Sequence, residues 1–136
     1  MGPVDWIAVA VAAALAFALG GLWYGPLFGP AKRAGVGPRG RSPLPAPRRT
    51  MAITLALLLV AAAMLGHMYA RVGAETLGAK PWLYFMMSGG LALAFVLPAL
   101  LTSYMHQRIA PVVALIDAGY WLLAYLTMGT AFWMLG

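Results

Sequence analysis

Four long apolar runs dominate this sequence and determine what it can fold into. They cover residues 6–27, 51–70, 82–104 and 112–135, and polar segments separate them. A helix rises about 1.5 Å per residue and the hydrocarbon core of a bilayer is about 30 Å thick, so one helical span needs about 20 apolar residues. Only 9% of the residues are charged, against roughly 25% in soluble domains. Four membrane-spanning segments are therefore predicted.

Each of these spans is expected to be an α-helix. An unpaired backbone group in lipid costs several kcal/mol, and a helix pairs these groups within one segment. Asp5 is placed to cap the first helix, and Pro81 and Pro111 stand where the third and fourth begin. The predicted fold is all-α: a polytopic membrane protein forming a single domain, 1–136, as an antiparallel bundle of four transmembrane helices.

The segment 28–50, between the first two spans, is rich in proline, glycine and basic residues and has no hydrophobic periodicity. We expect a mobile or extended loop there. Six of the nine basic residues of the chain stand in it: Lys32, Arg33, Arg39, Arg41, Arg48 and Arg49. The positive-inside rule then places this loop and the third connection in the cytoplasm, with both termini outside.

The same basic residues determine which partners are expected. Each Lys or Arg near an anionic membrane surface contributes about 1 kcal/mol, so these six are predicted to contact anionic lipid headgroups. A nucleic acid is not expected as a partner, because no aromatic side chains interleave with the charges.

Small residues recur along the first helix. Ala14, Ala18, Gly21 and Gly25 follow a spacing of four, three and four residues, which places them on one stripe of the helix. Such stripes allow backbones to approach closely. We expect this small-residue stripe to pack against another helix, of the same chain or of a neighbouring copy, and the protein to form homo-oligomers.

The fourth span contains Asp117, the one carboxylate of the sequence that lies within a span. An aspartate at the bilayer centre costs about 2.5 to 3.5 kcal/mol on insertion scales, so it needs a partner or a function. Candidate partners on the same membrane side are Arg108, a basic residue of the first loop, the Tyr24 hydroxyl and the Trp23 indole.

A cluster is therefore predicted at the cytoplasmic ends of the first and fourth helices. Trp23, Tyr24, Asp117 and Tyr120 can share one hydrogen-bonded network there, with Pro26 turning the chain out of the membrane beside it. Two interpretations stay open at this point. The cluster is either a ligand site or a contact that holds the two helices together.

Two motifs also suggest a family. The run GGLWYGPLFG ends the first span and IDAGYWLL lies in the fourth. Together with the basic break after the first span, they resemble the family called domain of unknown function 1761, over nearly the whole chain. The matching positions are Gly20, Trp23, Tyr24, Pro26, Leu27, Phe28, Gly29, Asp117, Gly119 and Tyr120.

This resemblance implies a small four-helix protein of the bacterial inner membrane, and it implies no reaction. One feature departs from the family pattern. Family members show a Lys followed closely by Trp after the first motif, whereas here Lys32 is followed by Arg33 and no aromatic residue.

Several chemistries are not supported. Cysteine is absent, which removes thiol catalysis and sulfur-ligated metals. His67 and His106 fall on opposite membrane sides in the predicted topology, so they cannot share a metal. Ser103, His106 and Asp117 lack the spacing and the nucleophile elbow of a hydrolase. We predict no catalytic residue, no metal and no cofactor.

Two functions fit these features. The first is a small homo-oligomeric channel or carrier in which Asp117 faces a hydrated path. The alternative is a non-catalytic membrane scaffold or accessory subunit in which the Asp117 cluster is structural. The two differ in whether removing the carboxylate changes solute flux or only stability.

Overall fold

The computed structural model describes residues 4–36 and 47–135, and within these ranges the regular structure is helical, with no strand. The first span is α1, Trp6–Leu22, continued by a wider π-helical turn at Trp23–Leu27. The remaining helices are α2 (Gly29–Val36), α3 (Pro47–Val72), α4 (Ala74–Ala79), α5 (Trp82–Leu91), α6 (Leu97–His106) and α7 (Pro111–Leu135), with a second π-helical turn, Ala92–Val96, joining α5 to α6.

Four of the described helical segments are long and apolar enough to cross a membrane: Trp6–Leu27, Arg48–Val72, Trp82–His106 and Pro111–Leu135. The predicted all-α fold with four membrane-spanning helices is confirmed. The α1 N-terminus is capped as expected, since Asp5 Oδ1 accepts a hydrogen bond from the Ala8 amide at 3.1 Å.

The segment between the first two spans differs from its prediction. Instead of a purely extended loop, Gly29–Val36 forms the short helix α2, which packs on α7. A helix this short gains its stability from packing rather than from its own periodicity, so the sequence pattern did not reveal it. Lys32 and Arg33 lie on α2, and Arg48 and Arg49 are exposed at the start of α3.

The other two basic residues predicted to contact headgroups, Arg39 and Arg41, lie outside the described residues.

Helix α7 is the centre of the bundle, because it packs against α1, α5 and α6, whereas α3 packs mainly on α1. Its inward face is buried at Asp117, Tyr120, Ala124 and Ala131, as its three-and-four spacing indicates. Contacts between α1 and α7 run in opposite chain order: Ala16 meets Tyr120, whereas the later Trp23 meets the earlier Ile116. The antiparallel arrangement predicted for the bundle requires this order.

Helix α1 does not use its small-residue stripe to pack within the chain. The four stripe residues are exposed, and the opposite face carries the packing through Ala8, Ala12, Ala13 and Ala16, each 0% exposed. Because α1 is apolar all round, alanines occur on two faces and the sequence alone could not decide between them. Packing of the stripe against a neighbouring copy stays a prediction.

One end of the bundle is closed by close packing; we call it the aromatic end, formed by Tyr69, Tyr84, Ser88, Gly129 and Phe132. The Tyr69 hydroxyl donates to the Tyr84 carbonyl at 2.7 Å, and Ser88 Oγ donates to the same oxygen at 2.9 Å. The Tyr69 ring lies 4.9 Å from that of Tyr84 and 5.1 Å from that of Phe132. A Cβ on Gly129 would lie 2.9 Å from the Tyr84 carbonyl oxygen, so only glycine permits this approach.

Candidate functional site

The opposite end of the bundle holds the buried carboxylate; we call it the carboxylate end, formed by Tyr24, Tyr104, Asp117 and Tyr120. Asp117 is 3% exposed. Its Oδ1 accepts a hydrogen bond from the Tyr24 hydroxyl at 2.5 Å, and its Oδ2 accepts one from the Tyr104 hydroxyl. Hydroxyls from the first and third spans therefore hold the carboxylate of the fourth.

Two further hydrogen bonds fasten α1 to α7 beside the carboxylate. Trp23 Nε1 donates to the Ile116 carbonyl at 2.9 Å, and the Tyr120 hydroxyl donates to the Ala16 carbonyl at 3.0 Å. Glycines bring the helices this close. A Cβ on Gly119 would lie 3.0 Å from the Trp23 indole, and one on Gly20 would lie 3.2 Å from the Tyr120 hydroxyl oxygen.

The π-helical turn Trp23–Leu27 supplies the two α1 side chains of this site. The turn contains Pro26, which has no amide hydrogen, and closes with the Phe28 amide donating to the Trp23 carbonyl at 2.8 Å. Such wide turns occur within α-helices, often at functional sites. Here the consecutive residues Trp23 and Tyr24 both reach α7.

A cavity of about 510 Å³ opens beside the carboxylate. Its size falls within the range of small-molecule pockets, about 300 to 1,000 Å³. Residues of α1, its π-helical turn, α3, α6 and α7 line it: Phe17, Gly20, Gly21, Tyr24, Gly25, Met51, Thr54, Tyr104, Asp117, Tyr120 and Trp121. Among the described residues, no atom comes within 4 Å of a Cβ built on Gly21 or Gly25. These two glycines keep the cavity wide.

The structure brings four of the five predicted cluster residues together. Trp23, Tyr24, Asp117 and Tyr120 meet at the α1–α7 contact, whereas Pro26 lies in the adjacent π-helical turn and is exposed. Gly21 and Gly25, predicted as packing residues, are instead lining residues of the cavity.

Two of the partners predicted for Asp117, Trp23 and Arg108, are placed elsewhere in the described structure. Trp23 gives its indole N–H to a backbone carbonyl, since its ring lies against Gly119 rather than beside the carboxylate. Arg108 is exposed in the turn after α6, where it adopts a positive φ of 58°.

Sequence reasoning missed Tyr104 as a partner of Asp117. Tyr104 belongs to the last turn of the third span, and the connection from α6 to α7 is short. A short connection between antiparallel helices keeps the adjoining turns close in space. That proximity, combined with a hydroxyl that can donate to a carboxylate, is the signal that would have found it. Thr54 and Trp121, which also line the cavity, carry no comparable signal.

Four apolar helices around a carboxylate-containing cavity define a small multi-pass membrane protein with a polar site within its spans. The chain belongs to the family described as Protein of unknown function (DUF1761), whose sequence profile matches residues 7–133. The predicted family is therefore confirmed, and the match includes both motifs at the carboxylate end. Comparison with curated proteins finds no match, and comparison with solved structures finds none.

Proposed function

We propose that this protein is a small homo-oligomeric carrier or channel of the bacterial inner membrane, with Asp117 as the group that binds the solute. One observation carries the proposal: the buried Asp117 carboxylate lines a cavity of about 510 Å³. An ionisable side chain within a membrane span is costly, and in membrane proteins it typically marks a path for ions or substrates.

The contrast between the two ends of the bundle favours a carrier. The cavity lies at the carboxylate end, while Tyr69, Tyr84 and Phe132 pack closely at the aromatic end. A solute bound at Asp117 can reach the other side only if that packing opens. Alternating access, in which one part of a bundle moves against another around a midplane site, provides such an opening.

The proposal also covers the orientation of the protein in the membrane and its association into homo-oligomers. The basic residues of 28–50 favour a cytoplasmic carboxylate end, where the exposed Arg48 and Arg49 contact anionic headgroups. Ala14 and Ala18, the exposed residues of the α1 stripe that do not line the cavity, are suited to close contact with a second copy.

Charge movement across reconstituted membranes tests this function. Purified protein in liposomes is adsorbed on a solid-supported membrane, and currents are recorded as inorganic cations, organic cations, zwitterions and organic acids are applied in turn. We expect at least one class to give a current that Asp117→Asn reduces severalfold, because the variant removes the binding charge. Absence of current for all four classes, from protein that keeps its helical circular dichroism and melting temperature, would contradict the proposal.

A structural role for the cluster is the second candidate, favoured by the hydrogen bonds that fasten α1 to α7. Trp23 and Tyr120 each donate to a carbonyl of the other helix, and Tyr24 donates to Asp117. A scaffold or accessory subunit needs these contacts only for stability. In that case Asp117→Asn lowers the melting temperature, currents are absent, and pull-downs from membranes recover a defined partner protein.

A further inference from the structure

We infer that a groove lined by α3, α6 and α7 binds one anionic phospholipid of the surrounding bilayer, with its phosphate at the groove mouth and an acyl chain along the groove. We call it the lateral groove, and it is formed by Leu57, Ala61, Leu100, Ser103 and Trp121. Its volume is about 440 Å³. The inference goes beyond the proposed function and does not depend on it, because Asp117 does not line the lateral groove.

The wall of the lateral groove is apolar along most of its length. Val96 and Ala99 extend it beside Leu100, and the Tyr125 ring extends it beside that of Trp121. A hydrocarbon chain keeps apolar contacts on such a wall, whereas a polar solute would lose its water for few hydrogen bonds in return. The lateral groove therefore suits an acyl chain.

The depth of the lateral groove matches one leaflet of a bilayer. Ser103 lies within one turn of His106, the last residue of α6. Val96, at the other end of the lining on this side, is ten residues from His106. Ten helical residues correspond to about 15 Å, which is half of the hydrocarbon core of about 30 Å. A chain that enters from the carboxylate end can thus fill the groove to the middle of the bilayer.

Arginines flank the mouth of the lateral groove on both sides. Arg48 and Arg49 are exposed at the start of α3, and Arg108 is exposed in the turn after α6. Both helix ends belong to the carboxylate end, since Met51 of α3 and Tyr104 of α6 line the same cavity. Basic pockets between membrane helices bind anionic headgroups, and arginine pairs with phosphate through two parallel hydrogen bonds. The mouth therefore has the charge that complements an anionic headgroup.

A second copy of the chain fits the lateral groove less well than a lipid does. Copies that share one orientation in the membrane carry the same basic residues at the same level. A neighbouring copy would therefore bring like charges to a mouth that is already positive, and such contacts are unfavourable. An anionic lipid instead neutralises the mouth, whereas a zwitterionic lipid brings a cation of its own. The favoured occupant is a phospholipid with a net negative charge, such as phosphatidylglycerol.

Two double variants of equal charge test the mouth. Arg48→Gln with Arg108→Gln removes two positive charges beside the lateral groove. Arg71→Gln with Lys80→Gln removes two exposed positive charges near the aromatic end. The second variant is the control, because it lowers the net charge of the chain by the same amount and leaves the mouth intact.

Two single variants of equal size test the wall. Ala99→Phe places a ring in the lateral groove, where Ala99 is a lining residue. Ala56→Phe is its control, because Ala56 is an exposed residue of α3 that does not line the groove. Ala56 is eight residues from Arg48 and Ala99 is seven from His106, so each lies about 10 to 12 Å from its helix end.

Native mass spectrometry of the full chain, freed of lipid in detergent, tests the inference with phosphatidylglycerol and phosphatidylcholine that carry identical acyl chains. We expect one saturable phosphatidylglycerol per chain, and at least about tenfold weaker binding of phosphatidylcholine. The Arg48→Gln/Arg108→Gln and Ala99→Phe variants should each weaken phosphatidylglycerol binding at least about tenfold. Both controls should bind it as the unmodified chain does.

Equal binding of the two lipids would overturn the inference, and so would equal effects of either variant and its control. Should Ala99→Phe fail to fold, the arginine variants still decide, because they change only exposed side chains. Dimers that Ala99→Phe dissociates, in protein that binds no lipid, would show that the lateral groove is an interface between copies and would also overturn the inference.

Discussion

The two ends of the bundle use the same residue types in opposite ways. At the aromatic end, Gly129 allows the backbone carbonyl of Tyr84 and the Ser88 side chain to pack directly on α7. At the carboxylate end, Gly21 borders open space. Glycine excludes solvent in the first case and leaves room for it in the second, so a glycine in a membrane helix indicates close packing only when a neighbour is shown to fill the space.

The tyrosines of the two ends also differ, in the group to which each hydroxyl donates. Tyr69 donates to a neutral backbone carbonyl, whereas Tyr24 and Tyr104 donate to a carboxylate. The first bond satisfies the backbone of a closed region, and the other two orient an ionisable group beside a cavity. The aromatic end is therefore closed by packing, whereas the carboxylate end combines helix-to-helix hydrogen bonds with an ionisable group and a cavity.

The largest expected effect concerns which side of the membrane each end faces. The chain has no cysteine, so single cysteines can be labelled without background. Thr76→Cys lies near the aromatic end and Gln107→Cys near the carboxylate end, and both positions are exposed. In spheroplasts, a membrane-impermeant maleimide should label Cys at 76 and not at 107, because the basic residues orient the carboxylate end inwards. Labelling at 107 and not at 76 would place the carboxylate end on the outer side of the membrane and contradict the proposed orientation.

The next effect distinguishes the two kinds of glycine. Gly129→Ala forces a Cβ towards the Tyr84 carbonyl oxygen, and overpacking of this kind costs about 1 to 3 kcal/mol. Gly21→Ala meets no described neighbour and should stabilise the helix by about 0.5 to 1 kcal/mol. Unfolding in mixed micelles, followed by circular dichroism, measures both free energies. Equal effects would show that the two ends are packed alike.

The smallest effect compares the tyrosines. Tyr24→Phe removes a hydrogen bond to a carboxylate, worth about 1.5 to 3 kcal/mol, and Tyr69→Phe removes one to a neutral carbonyl, worth about 1 kcal/mol. The Tyr84 carbonyl also keeps Ser88 as a donor. We therefore expect Tyr24→Phe to lower the free energy of unfolding more, in the same micelle assay. A smaller loss for Tyr24→Phe would mean that water in the cavity replaces the hydroxyl at Asp117.

Much of the fold was predictable because membrane spans are a property of composition and length. The four helices and the Asp5 cap follow from apolar runs and capping residues that a sequence displays directly. The family also followed from the two motifs around Trp23 and Asp117. The predictions that rest on an apolar run, a capping residue or a family motif therefore agree with the structure and the family match.

What could not be predicted depends on how the helices pack against one another, which the spacing of residues along one helix does not determine. The face that α1 buries was missed because alanines occur on both of its sides. Tyr104 was missed as a partner because no motif marks it, and only the short connection between α6 and α7 indicates that it lies near Asp117. The cavity itself is lined by residues from several helices, so the sequence of no single helix encodes it.

The π-helical turn Ala92–Val96 has a consequence for how this site tolerates change. A π turn is equivalent to one extra residue in an otherwise regular helix, and each residue of an α-helix rotates the chain by about 100°. Deleting one residue there and closing the turn to a regular α-helix would therefore leave the later side chains near their present orientation, whereas deleting one residue from the regular helix α6 ahead of Tyr104 would rotate the Tyr104 hydroxyl by about 100° away from Asp117. The π-helical turn thus absorbs a change of length without moving Tyr104, and the regular helix that follows it does not.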